Sequence, residues 1–310
     1  VKDIPRKFLR SLRRGAFAIG TGVFLGLIAA FGLVAPVFVQ NPVVHATPAD
    51  ALPPCPAYQA LLDQNLTVLR AKDGDVQRPV MTTFDYARLA LYPDGRDKIG
   101  SARKELLGVQ PSRLGPKART AWGINLHNLL VIEQIARDGF PNRKPVADAR
   151  DALMEQDDTH PAVHVEGHGY TLQKFGRHFL FADFDQSSNA SPPASLDPRV
   201  HFALTSGARG GPPLHPQAYR PETLDSQLDD VTRGALLGSK HLRWNGMTKD
   251  LAVSQIFDWY ATDFGGPDSA FAFVMRHIPS RTANEISAAG ITKIPGYIEC
   301  EWTLNQTPQR

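Results

Sequence analysis

The chain has 310 residues, 42% of them hydrophobic and 21% charged, too apolar for a disordered protein and ordinary for a globular one. Its formal charge of +3 is unevenly placed. Lys2, Arg6, Lys7, Arg10, Arg13 and Arg14 face only Asp3 in the first fifteen residues, a local +5 that leaves the remainder at −2, so a nucleic-acid-binding reading loses its main support.

Residues 16–46 hold no Asp, Glu, Lys or Arg. A basic stretch before an uncharged apolar run is the layout of an export signal, and Val44-His45-Ala46 offers a small-x-small cleavage site. The run from 16 to 39 also reaches bilayer-spanning length, so residues 1–46 read either as a signal peptide or as an uncleaved membrane anchor. In both cases the Lys/Arg excess stays cytoplasmic. The body is then extracytoplasmic, in a bacterial periplasm or anchored at the inner membrane. The Arg13-Arg14 pair is compatible with twin-arginine export. Residues 47–57 read as a Pro/Ala-rich tether, and 58–310 as one domain.

Cys55 and Cys300 are the only cysteines. Two thiols in an oxidising compartment imply one disulfide closing a long loop. The competing reading is a buried thiol at Cys300, which alternates with Ile298, Trp302 and Leu304 on one strand face.

In chain order, the first strong period lies in GPKARTAWGINLHNLLVIEQIARDG. It predicts a helix from Pro116 to Gly139 with Trp122, Leu126, Leu129, Ile132 and Ala136 on one side. Asn125 interrupts that stripe. A buried amide needs partners for both its oxygen and its nitrogen, so Asn125, with Asn128 one turn on, either ties a loop in place or contacts a ligand. DDTHPAVHVEGHG follows, with strands expected at 163–166 and 170–172 around a turn at Gly167-His168-Gly169. Its His160, His164 and His168 are four residues apart, a metal-ligand spacing on a helix that Pro161 and the glycines argue against.

SSNASPPASLDPR reads as a surface loop, and 199–205 as a strand. In that strand His201, Ala203 and Thr205 form a polar face able to line a cleft. Gly207-Ala208-Arg209-Gly210-Gly211 then offers backbone N–H groups and the Arg209 charge to an anion, although Pro212-Pro213 prevent a phosphate-loop helix from following. Further helices are predicted at 220–237, 253–266 and 268–278, the last capped by Asp268 or Ser269, and a strand at 297–304. The mixture lacks regular βαβ alternation. It reads as α+β, a single domain with several amphipathic helices on a mixed or antiparallel sheet behind the N-terminal signal or anchor helix.

Taken together, FDYARLA (84–90), AWGINLHN (121–128), VEGHGYTL (165–172), DPRVHFALTSGARGGPPLHPQAY (197–219), LDSQLDD (224–230), SQIFDWYATDFGG (254–266) and YIECEWTLN (297–305) resemble the bacterial and plant family known as domain of unknown function 547. The resemblance identifies relatives rather than an activity. It also implies an Asn-Cys pair where this chain has Thr205-Ser206, and a second Cys at Gly211. It implies Glu-His at Gly176-Arg177, where His178 stands one place late, a Trp at Gly123 and a Tyr at His127. If the relatives' Cys and His form a catalytic pair, this chain lacks the thiolate.

The leading expectation is therefore an exported, non-catalytic or degenerate member. It would bind an envelope partner or small ligand in a cleft near residues 201–211, through Asn125, Asn128, His201, Thr205 and Arg209, without a cofactor. The rivals are a hydrolase using Ser206 with His201 or His178, and a metal-binding protein using His160, His164 and His168. In a regular strand, residues 201 and 206 point to opposite faces and stand roughly 16 Å apart, which disfavours that pair. His178 lies about 100° round a helix from the relatives' position. No Gly-x-Ser-x-Gly elbow surrounds Ser206.

Overall fold

The computed structural model describes residues 51–74, 76–138, 161–181 and 197–308. Two units divide the chain, Val1–His45 and Ala46–Arg310, and every described residue belongs to the second. The signal or anchor expected over 1–46 lies outside the described residues. Among those described, no helix is long and apolar enough to cross a membrane.

The sheets are small and the core is helical. Pro56 starts α1 (Pro56–Asn65), whose first N–H groups point at Glu105. Both oxygens of Glu105 accept there, from Ala57 N at 3.2 Å and Tyr58 N at 3.1 Å. A carboxylate suits a helix N-terminus, where orphan donors and the positive dipole end coincide. Leu52 and Cys55 are buried in the core, so the stretch expected to be a tether is in part packed.

β1 (Leu66–Asp73) and β2 (Val76–Phe84) form an antiparallel hairpin with a bulge at Leu69/Arg70. α2 (Tyr86–Leu91) is capped by Asp85, which accepts from Arg88 N at 3.0 Å, and α3 (Gly95–Leu107) follows. None of these elements was legible in the amphipathic pattern.

α4 (Pro116–Asp138) is the long helix expected, but it is not amphipathic. Ile124 and Val131 are buried as completely as Trp122, Leu126, Leu129 and Ile132, so apolar neighbours surround the helix on nearly every side. Each large side chain buried in this way contributes about 1.5–3 kcal/mol of transfer free energy. Trp122 also donates its indole N–H to Leu106 O at 2.8 Å, which leaves no buried donor unpaired on that ring.

β3 (Val163–Val165) and β4 (His168–Tyr170) are the predicted hairpin with a shifted turn. The turn residues are Glu166 and Gly167, at φ 48° and 85°, the positive pair of a two-residue hairpin turn. His168 therefore belongs to the strand. α5 (Leu172–Phe179) begins at the Thr171 cap and lays Phe175 and Phe179 on Trp122, at ring separations of 5.6 and 5.1 Å.

The strand expected over 199–205 is instead a 3₁₀ helix, Pro198–Phe202. Asp197 accepts from Arg199 N at 3.0 Å and Pro198 sits in the first turn, a helix-start chemistry that outcompetes the alternation of side chains. α6 (Leu224–Leu237) starts after Thr223 rather than at Pro221. Its Gly234 packs against β2 so closely that a Cβ there would lie 1.8 Å from Pro79 O. Arg78 of β2 ties the same contact electrostatically, pairing with Asp230 and, at 3.6 Å each, with Asp73 and Asp229.

β5 (Leu242–Asn245), β6 (Asp250–Ser254) and β7 (Tyr297–Ile298) form the third sheet, antiparallel and then parallel. The helix predicted over 253–266 is thus divided. Val253 and Ser254 end β6, and only α7 (Ile256–Trp259) is helical before a run of turns through Gly265 and Gly266. α8 (Pro267–His277) starts at Pro267, without a side-chain cap from Asp268 or Ser269, and α9 (Ser280–Ala288) completes the helices. The strand expected over 297–304 shrinks to β7 and an isolated bridge at Leu304. The class is α+β, helices with small antiparallel and mixed sheets.

Candidate functional site

The two asparagines of α4 determine how the site is built. Asn125 Nδ2 donates to Tyr219 O at 2.9 Å, and Tyr219 N donates back to Oδ1 at 2.8 Å. One turn later, Asn128 Nδ2 donates to Ala203 O at 2.9 Å and its Oδ1 accepts from Thr205 N at 3.0 Å. Each amide completes a two-point pairing with a peptide backbone, as a neighbouring strand would. Together they hold both ends of the segment 203–219. The structural alternative for both residues is the one observed, and neither lines the cleft beside them.

Between those clamps, the glycine loop satisfies its own donors. Gly207 N reaches Thr205 Oγ1 at 3.1 Å, Ala208 N reaches Ser206 Oγ at 3.4 Å, and Gly211 N reaches Ala208 O at 3.0 Å. Arg209 N and Gly210 N donate to Thr303 O and Glu301 O, both at 2.9 Å. All five N–H groups are used, so the loop presents no anion nest. Asn305 N adds a bond to Gly207 O at 2.8 Å, and Phe84 N bonds Asn305 O at 3.1 Å. The segment 301–305 thereby links the loop to β2. Arg209 is exposed, 3.7 Å from Glu301, and is not among the residues that line the cleft, where it was expected.

A cleft of about 290 Å³ opens beside this loop. His127, His201, Leu204, Thr205, Ser206, Gly210 and Gly211 form one wall; Gln173, Gly176 and Arg177 come from α5; Trp259, Tyr260, Cys300 and Trp302 close it. The expected position near 201–211 is where the cleft lies. The expected geometry is not. Because 198–202 coils rather than extends, His201 and Ser206 line one cleft, and the opposite-face argument made from a strand does not apply.

His201 is buried, with Nε2 2.9 Å from Asp263 Oδ2. Its ring lies between Phe181, at 4.5 Å and 12°, and Tyr260, at 4.1 Å and 23°. Burial pushes its pKa down to about 4, against the opposing pull of the Asp263 carboxylate. The imidazole is therefore neutral at pH 7 and donates Nε2–H to Asp263. Ser206 Oγ accepts from Ala208 N, and among the described residues no imidazole hydrogen-bonds it. His178 does not line the cleft; its ring packs on Tyr170 at 5.2 Å and Phe179 at 4.6 Å.

Ser206 and Gly211, where the resemblance implies cysteines, face each other. A Cβ on Gly211 would lie 3.5 Å from Ser206 Cβ and 2.3 Å from its Oγ. That spacing suits a bridge between two sulfurs rather than a lone thiolate, and it requires Gly211 to stay small while Ser206 remains. Gly123, where the resemblance implies Trp, is pressed against Leu180, whose side chain would lie 2.8 Å from an added Cβ.

The cysteines are not bridged. Cys55 is buried at the start of α1, where desolvation and then the Glu105 charge push its thiol pKa up. Cys300 lines the cleft, 3.0 Å from a Cβ added at Gly210. The expected disulfide is absent because the two thiols occupy these separate surroundings. The histidine cluster is also not a ligand set. His164 and His168 point to opposite faces of the hairpin, since His164 pairs with Gly169 and His168 with Val165. His160 lies outside the described residues. Among those described, no group of three His, Cys, Asp or Glu can hold a metal.

Sequence reasoning missed His127, His241, Trp259, Tyr260, Cys300 and Trp302 as neighbours of the loop. His241 lies behind it, with Nε2 3.2 Å from Gly211 O and a buried Nδ1 that has no partner. His127 also has a buried, unpartnered Nδ1. Burial pushes both pKa values down to about 4. No local pattern marks these residues, because the chain brings them together from distant segments.

Residues 111–234 match the family described as Protein of unknown function, DUF547. The match includes α4, the β3–β4 hairpin, the glycine loop and most of α6, but not the C-terminal segment that closes the cleft. No curated protein and no solved structure matches the chain.

Replacing Asn128 with Ala removes both bonds and strands Ala203 O and Thr205 N in the interior. A loss of about 2–4 kcal/mol in urea unfolding is expected, two partners at about 1–2 kcal/mol each. An unchanged midpoint would show that the loop is held by something else.

Acid should unfold the protein steeply. His127, His201 and His241 are neutral when folded, with pKa about 4, whereas unfolded histidine titrates near 6.5. Their stabilising contribution is complete above pH 6.5 and is lost as pH falls towards 4. Each proton steepens the fall by about 1.4 kcal/mol per pH unit. Circular dichroism against pH should show cooperative unfolding in that window, with a shallower slope for His241→Gln. Full retention of structure at pH 4 would contradict the neutral buried imidazoles.

Proposed function

We propose that this chain is an exported cell-envelope protein that acts by binding a small ligand or partner group in the cleft beside residues 201–211, without catalysing a reaction there. The observation that carries the reading is how the cleft's polar groups are already engaged. Ser206 Oγ bonds the loop it belongs to, His201 Nε2 is held by Asp263, and the loop N–H groups are consumed internally. An activated serine needs a base on its hydroxyl and donors awaiting an oxyanion, and this cleft supplies neither in place. It does supply apolar and aromatic surface with a few polar groups, the composition of a small-ligand site. Export rests on the basic residues before the uncharged run at 16–46.

A second reading, a serine hydrolase, is favoured by one observation: the His201–Asp263 pair shares its cleft with Ser206. A fluorophosphonate probe separates the two. No covalent labelling is expected, and a thermal-shift screen of small metabolites should return compounds whose stabilisation disappears in Trp259→Ala. Labelling that is lost in Ser206→Ala would establish the hydrolase, and the absence of any Trp259-dependent ligand would remove the binding reading.

Export has its own test. Alkaline phosphatase fused after Arg310 should be active in a bacterial host. An inactive fusion that accumulates stably would place the body in the cytoplasm.

A further inference from the structure

We propose that the outer edge of β1 is a docking site for an extended, carboxylate-bearing peptide segment of a partner protein, taken as an added strand and independent of the cleft. The main chain is the first reason. β1 is eight residues long and pairs on one side only, with β2. Leu66 N still closes the end of α1 on Leu62 O. From Thr67 to Asp73, no main-chain group bonds anything outside β2 among the described residues. The opposite edge of the ribbon is treated differently. There Phe84 bonds Asn305 and Thr307, and α6 packs so closely that an added Cβ on Gly234 would lie 1.8 Å from Pro79 O. The other hairpins offer strands of only three to five residues. β1 is therefore the long bare edge, a row of alternating donors and acceptors that another strand satisfies along its whole length.

Side chains select the occupant. The bulge between Leu69 and Arg70 breaks the alternation of β1, so those two neighbours are both exposed, flanked by exposed Thr67 and Lys72. Leu69 is 56% exposed and stands opposite Met81 at 46%, an apolar cross-strand pair open to a third strand. Arg70 and Lys72 make no ion pair among the described residues, and the adjacent carboxylate of Asp73 is held 3.6 Å from Arg78. A second copy of β1 would bring four such cations onto one ribbon, and like charges on facing strands oppose pairing. A strand with carboxylates meets the same two cations favourably and lays its apolar residues on Leu69 and Met81. An anionic lipid surface matches the charge but leaves the main-chain row without partners.

Fluorescence anisotropy with labelled peptides on the full-length protein tests the assignment. Acetyl-TVEVEVT-amide should bind, and the counterparts with Gln or Lys in place of Glu should bind about tenfold or more weaker. The Glu peptide N-methylated at every peptide bond keeps its carboxylates but donates no main-chain hydrogen bond, so it should not bind. The double variant Arg70→Glu/Lys72→Glu changes two exposed side chains and should reverse the order of the Glu and Lys peptides, a gain that misfolding cannot produce. Failure of the Glu peptide to bind, or equal binding of all three peptides, would overturn the proposal. Binding unchanged in the double variant would place the contact elsewhere and overturn it too. Undiminished binding of the N-methylated peptide would show attraction of charge without strand addition. Binding to phosphatidylglycerol vesicles that is lost in the double variant, with no peptide bound, would assign the surface to a membrane instead.

Discussion

Two carboxamides inside an apolar helix hold this structure's working part in place. Asn125 and Asn128 face the interior of α4, where an unpaired amide would cost several kcal/mol, and each satisfies itself on one end of the segment 203–219. The requirement runs both ways. The segment is irregular and buried at Ala203, Thr205 and Tyr219, so its own peptide groups need partners that no sheet provides. The amides replace the missing strand. Everything around the cleft follows from that substitution, since the glycine loop, the 3₁₀ turn of His201 and the wall of Ser206 are all fixed relative to α4 by these four bonds.

The loop between the clamps is shaped by close approach. Gly207 has φ 73° and would place a Cβ 2.2 Å from Ile135 Cδ1, and a Cβ on Gly210 would meet Glu301 N at 2.3 Å. Neither position tolerates a side chain, the first for its backbone conformation as well as its neighbour. The sequence pattern GARGG suggests an anion cradle when read alone. In the fold the same glycines allow the backbone to press against α4 and residues 300–301, and their N–H groups are spent on that packing.

What the sequence made legible was local and strongly periodic. The α4 helix, the Val163–Tyr170 hairpin and the start of α8 near Asp268 are all visible from spacing; Asn125 was legible as a buried amide in need of partners, but not as a loop tie rather than a ligand contact. The position of the cleft was legible too, but by an argument that failed in its details. Val200, Phe202 and Leu204 alternate as a strand would, yet the Asp197-Pro198 cap wins and the segment coils. Val253 to Phe264 have helical spacing, but Asp250–Ser254 has a pairing partner in β5 and is drawn into the sheet. Tertiary pairing overrides a short period in such cases. The ring contacts of His201 and the grouping of three neutral histidines were not legible for a different reason. Their members stand at 127, 181, 201, 241 and 260, and only the finished fold makes them neighbours.

The C-terminal lacing has a consequence for how the protein matures. Residues 301–307 bond both the glycine loop and β2, through Glu301, Thr303 and Asn305 on one side and Phe84 on the other. Those residues leave the ribosome after everything they fasten. Helical pairs such as α3 and α4 can form while the chain is still emerging, but the loop cannot be closed until residues 301–305 have emerged. A chain shortened before Glu301 would keep its amide clamps and lose the other half of the loop's bonding, so a cell's proteases would meet an open, glycine-rich segment in place of a finished cleft. Synthesis as far as Asn305 is thus a condition for closing the loop.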